Sequence, residues 1–126
     1  MKEQIKALVT ARDHVSFAEL AREIDGFKGN IGWELRGQNV YLWTGLSEKA
    51  FDALVDLIES EDIHFVPASL LAYLIDGITQ KLPLAKDIKP YKKPHWFPVI
   101  LRPGKGIKGK ALQVKVDDLA RCSPRL

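Results

Sequence analysis

The sequence predicts an α+β fold made of two related units, and three observations point to it. Apolar residues recur at helical spacing in short blocks, each followed by a stretch of strand composition. A seven-residue pattern comes twice: Leu20-Ala21-Arg22-Glu23-Ile24-Asp25-Gly26 and Leu71-Ala72-Tyr73-Leu74-Ile75-Asp76-Gly77 agree at five of seven positions, and Ala7-Leu8-Val9 upstream recurs as Ala53-Leu54-Val55. A unit repeated at this period implies two supersecondary modules packed on each other. The late chain alternates apolar and polar residues around a glycine-rich turn, as a hairpin does. With 126 residues, 46% of them hydrophobic, the chain buries enough surface to fold without staples. The expected units are residues 1–46 and 47–126, packed as one globule.

The elements follow in order. Ile5, Leu8, Val9 and Ala11 predict a first helix over Lys2–Arg12, broken at Asp13-His14-Val15. Ser16 followed three residues later by Glu19 is a capping-box pattern, and Phe17, Leu20, Ala21 and Ile24 give the apolar face of a second helix that Gly26 ends. Residues 30–36 fit either a third helix capped by Asn30 and stopped by Gly37, or the first arm of a hairpin turning at residues 36–39; the helix is preferred, although Gly32 weakens it by about 1 kcal/mol. Residues 40–43 are a strand. Ser47 opens a helix through about Ser60 with Phe51, Leu54, Val55 and Ile58 as its stripe. Residues 63–66 have strand composition, and Pro67 leads into a helix over residues 68–75. Two strands close the chain, residues 96–102 and 111–116, with residues 103–110 as the hairpin tip.

This order of helix, short strand, helix, tight turn, candidate third helix and hairpin resembles the winged-helix version of the helix-turn-helix fold, in two tandem units. Residues 5–12, 16–24, the Asp25-Gly26 turn and residues 40–43 carry the first copy; residues 51–60, 67–75 and the hairpin 96–116 carry the second. The resemblance implies DNA binding, with a third helix in the major groove and the hairpin wing on phosphates, or else protein contacts. The chain departs from the DNA-reading pattern in residues 30–36, which carry one Arg against one Glu and are interrupted or flanked by glycines, and in having no evident third helix in the second copy. Both departures leave the wing as the expected contact.

Charge sharpens that expectation. Residues 1–80 carry 7 Lys/Arg against 13 Asp/Glu, a net of −6, while residues 81–126 carry 12 against 3, a net of +9. Such asymmetry favours a polyanionic partner. Arg102, Lys105, Lys108 and Lys110 fall within nine residues that contain no acid, and glycines there let a backbone approach phosphates closely. Lys86, Lys89, Lys92 and Lys93 form a second cluster around Tyr91, beside His95-Trp96-Phe97; basic residues among aromatics suit stacking on unpaired bases, though at least one of Trp96 and Phe97 is expected as a core anchor of a strand.

Other chemistry is excluded or weak. The sequence Gly104 to Lys110 nearly spells a phosphate-binding P-loop, but Ala111 follows, with no hydroxyl for magnesium, and then a strand pattern where a helix is required. The single cysteine, Cys122, excludes an internal disulfide and a Cys-rich metal site, and no base stands beside it in sequence. His14, His64 and His95 are too scattered for a metal motif. The longest apolar run, Leu70–Ile75, is far short of a membrane span, and the N-terminus lacks a secretory signal, so a cytoplasmic protein is expected. The sequence therefore predicts a non-catalytic nucleic-acid-binding protein without cofactor or metal, for which DNA is favoured over RNA. The alternative is an interaction adaptor or assembly subunit that docks on an acidic protein or pairs with a second copy.

Overall fold

The computed structural model describes residues 1–75, 82–106 and 119–122. Helix α1, Lys2–Arg12, buries Ile5 and Val9. It stops at Asp13, whose φ of 53° and ψ of 162° lie at the edge of a region almost reserved to glycine. After the short strand β1, Val15–Ser16, comes α2, Phe17–Glu23. Ser16 Oγ accepts the Glu19 amide at 3.0 Å, the cap anticipated from the sequence, and Gly26 turns the chain away at φ 81°.

Residues 30–36 are not a helix. They belong to strand β2, Lys28–Leu35, which pairs antiparallel with β3, Val40–Leu46. Two terms decide this against the expected helix. Gly32 lowers the helical option, while alternation puts Trp33 and Leu35 in the core with Glu34 between them half-exposed. The turn between the strands, residues 36–39, takes positive φ at Gly37 and Asn39.

Helix α3, Glu48–Glu59, is capped by Ser47, whose Oγ accepts the Ala50 amide at 3.1 Å. Its deepest residues are Ala50, Ala53, Leu54 and Leu57; Phe51, Val55 and Ile58, expected to lead the stripe, flank it. Strand β4, Ile63–Pro67, and helix α4, Leu70–Ile75, follow. The strand expected over residues 96–102 is divided into β5, His95–Trp96, and β6, Val99–Pro103. Pro98 has no amide to donate, so a ladder cannot run through it. Instead the Phe97 amide donates to the Tyr41 carbonyl, and the Pro98 carbonyl accepts from Ala68, sending the chain from one sheet to the other. The last described strand is β7, Leu119–Cys122. The strand expected over residues 111–116 lies outside the described residues.

The strands form a three-stranded sheet, β1–β6–β4, and a four-stranded sheet, β5–β3–β2–β7. Each sheet takes strands from both sides of residue 47. In the first, β6 is central. Leu101 faces Val15 on one edge and Phe65 on the other, and Ile100 faces Ser16 and Val66. The helix–strand–helix order α1-β1-α2 thus recurs as α3-β4-α4, with the two equivalent strands flanking β6. Between the sheets lies an aromatic cluster. Phe17 stacks on Trp43 at 5.6 Å, Trp33 meets Phe65 edge-on at 5.3 Å, and Tyr73 meets Trp96 edge-on at 4.8 Å. Each such pair adds about 0.5–1.5 kcal/mol beyond area burial.

Candidate nucleic-acid interface

Residues 82–97 have little regular structure, yet their backbone is pinned. Ala85 donates to the Trp96 carbonyl and Trp96 to the Pro83 carbonyl, each at 2.8 Å, which folds the segment into a loop with its ends together. Strand β5 then joins β3 in parallel, with His95 opposite Val40. The β2–β3 turn holds the middle of the loop. Tyr91 donates its amide to the Gln38 carbonyl, its own carbonyl accepts from Asn39 Nδ2, and His95 donates its amide to the Asn39 carbonyl, all between 2.8 and 2.9 Å.

On this frame Lys86, Lys89, Lys92 and Lys93 are all exposed, with Asp87 as the acid among them. The rings of Tyr91 and His95 stack with centroids 3.9 Å apart and planes 23° from parallel, and Lys89 Nζ lies 5.5 Å from the Tyr91 centroid. His95 Nδ1 donates to the Lys93 carbonyl at 2.7 Å, which fixes the ring. The structure also brings exposed Arg36 to this loop, on the turn that binds Tyr91. The sequence offered one hint of this, the residue 36–39 turn, but only as the less favoured hairpin reading.

The other expected contacts fare differently. Trp96 is 1% exposed and packs on Trp43 and Tyr73, so it presents no face to a ligand; of the two roles its sequence allowed, it takes the core one. Arg102 is engaged by a carboxylate from the far end of the chain. Its Nε and Nη2 donate to the two oxygens of Asp13 at 2.9 Å each. That bidentate hold raises the Arg102 pKa and lowers that of Asp13 from 3.8 to about 2, with the His14 amide adding to the pull on Asp13. A phosphate would have to displace a partner already matched to the guanidinium. Lys105 stands 3.9 Å from Glu61, a loose pair at the surface that leaves the ammonium accessible. Lys108 and Lys110 lie outside the described residues. Both edges of Ile100 and Leu101 are occupied by β1 and β4, so the strand leading to this tip is internal to a sheet.

The histidines have separate surroundings: His14 lies beside Asp13, His64 Nδ1 is 2.9 Å from the Gly104 carbonyl, and His95 is on Tyr91. Among the described residues no group of three His, Cys, Asp or Glu side chains is gathered as a metal site would need, and no helix is long and apolar enough to cross a membrane. Comparison of the chain with protein-family models, with curated proteins and with solved structures finds no match in any of the three.

Proposed function

We propose that this chain is a non-catalytic nucleic-acid-binding protein that grips the phosphate backbone mainly through Lys86, Lys89, Lys92 and Lys93. The observation that carries this reading is four exposed lysines on one loop whose backbone is hydrogen-bonded to the β2–β3 turn. Cations carried on one short, backbone-pinned loop reinforce one another's field, and lysine contacts to phosphate carry no base sequence. Lys105, Lys108 and Lys110 form a secondary contact in this reading; Arg102, held by Asp13, drops out of it.

Salt dependence tests the proposal. About four phosphate contacts give a slope of log K against log salt near −3 to −4 on duplex DNA. Changing the four loop lysines to glutamine should reduce binding at low salt and flatten the slope, whereas the triple change of Lys105, Lys108 and Lys110 should cost less. A flat response from the unaltered chain, or equal binding by the loop variant, rejects the reading.

The repeated α1-β1-α2 and α3-β4-α4 order supports a further proposal, that the fold descends from a duplicated winged-helix-like unit whose third helix has given way to strand β2. A second functional reading, an adaptor for proteins, draws on Leu71 and Leu74, which share a face of α4 and are 62% and 55% exposed. Salt-insensitive self-association in light scattering, without nucleic acid, would favour the adaptor.

A further inference from the structure

We infer that the Tyr91–His95 stack makes this face selective for unpaired strands, with an exposed base joining the stack while the neighbouring lysines hold the flanking phosphates. The inference rests on the nucleic-acid reading of the same loop and specifies the form of its ligand.

Two features carry it. The first is preorganisation. Tyr91 is fixed through its amide, its carbonyl and its hydroxyl, the last donating to the Asp87 carbonyl at 3.2 Å. His95 is fixed through its amide and Nδ1. The two rings are therefore held nearly parallel, at 23°, before any ligand arrives, and little side-chain freedom is left to lose on binding. Both residues are only partly buried, unlike the interior aromatics Trp33, Trp43, Tyr73 and Trp96.

The second feature is the company the rings keep. Lys89 reaches the Tyr91 ring, and Lys92 and Lys93 stand between Tyr91 and His95 in the chain, so charge and π-surface lie within one short loop. A duplex satisfies its bases by stacking them internally and offers this loop phosphates alone. An unpaired strand offers phosphates and free base faces together. The stacking contribution therefore appears with a single strand and is missing with a duplex. Base–aromatic stacking tolerates any base, so no sequence preference accompanies it.

The test compares labelled oligo(dT), oligo(rU) and a duplex of equal length by fluorescence anisotropy at low salt. The unaltered chain should bind a single strand about tenfold more tightly than the duplex; preference between the DNA and RNA strands assigns the sugar. Tyr91→Leu should lose about tenfold on single strands and far less on the duplex, Tyr91→Phe should retain the preference, and Lys92→Gln with Lys93→Gln should weaken all probes. Equal affinity for single strand and duplex, or parallel losses on both in Tyr91→Leu with its thermal melt unchanged, overturns the inference and leaves the phosphate-binding reading standing. Absence of binding to every probe removes both.

Discussion

Tyr73 takes a hydroxyl into the interior and satisfies it twice. The hydroxyl donates to the Val99 carbonyl at 2.5 Å and accepts from the Phe17 amide at 3.3 Å, tying α4 to β6 and to the start of α2. Tyr73→Phe keeps the ring but leaves a buried carbonyl and amide short of a partner, and should cost about 1–3 kcal/mol. Urea titration should show a lower midpoint with an unchanged slope. Asp13 is a different case, because its contribution depends on pH. Its folded pKa is about 2 against a usual 3.8, so the folded chain binds fewer protons than the unfolded chain between those values. The stabilisation is fully present above about pH 4 and is lost as pH falls toward 2. The stability gap between the unaltered chain and Asp13→Asn, measured at pH 6, 4 and 2.5, should therefore narrow with acid. At this scale the sequence was readable wherever partners are local: both serine caps stand three residues from the amides they accept. The Asp13–Arg102 pair joins residues 89 apart, and no periodicity or spacing rule connects them.

Among the elements, the β2–β3 hairpin depends on a close approach that one glycine permits. A methyl group at Gly29 would stand 2.5 Å from Ser47 Cα and 2.6 Å from the Leu46 carbonyl oxygen, both backbone atoms that cannot swing aside. Gly29→Ala should cost about 1–3 kcal/mol, by displacing the irregular start of β2 and the α3 cap. Gly37→Ala is the instructive comparison. Nothing lies within 4 Å there, but φ is +76°, so the expected cost is about 1 kcal/mol and comes from the backbone alone. Thermal melts of the two variants should rank in that order. The hairpin also shows why a local reading goes astray. Residues 30–36 offer a cap and a stop that suit a helix, and it is the pairing of Trp33 with Trp43 across the ladder, a contact outside any short window, that settles the strand. Pro98 lies inside the strand expected over residues 96–102, where the sequence reading passed over it, and the division into β5 and β6 falls there.

For the whole molecule, the charge asymmetry was plain in composition, but its consequence was not. Of the late-chain cations among the described residues, Arg102 is paired with an acid of the first half, Lys105 loosely meets another, and the lysines of the 86–93 loop remain exposed. Counting charges along the chain could not separate these, since the separation depends on which carboxylates the fold brings near. The binding prediction therefore belongs to the loop, with its salt slope and its lysine variants as the check. The core fared better: Phe17, Leu20 and Leu54 were legible from helical spacing and are buried. Trp96 was ambiguous because a tryptophan beside lysines looks alike in sequence whether it points to solvent or to Tyr73.

The central position of β6 bears on how the molecule is made. Synthesis runs from the N-terminus, so β1 and β4 leave the ribosome long before residues 99–103, which supply the ladder partner of both. Until then a nascent chain displays two open strand edges and a hairpin whose flanking strands β5 and β7 are still to come. Helices α1 and α3 need only local contacts to form, while both sheets need strands that follow residue 94 to be complete. Unpaired edges held open for that interval are where such a polypeptide meets chaperones, or other copies of itself.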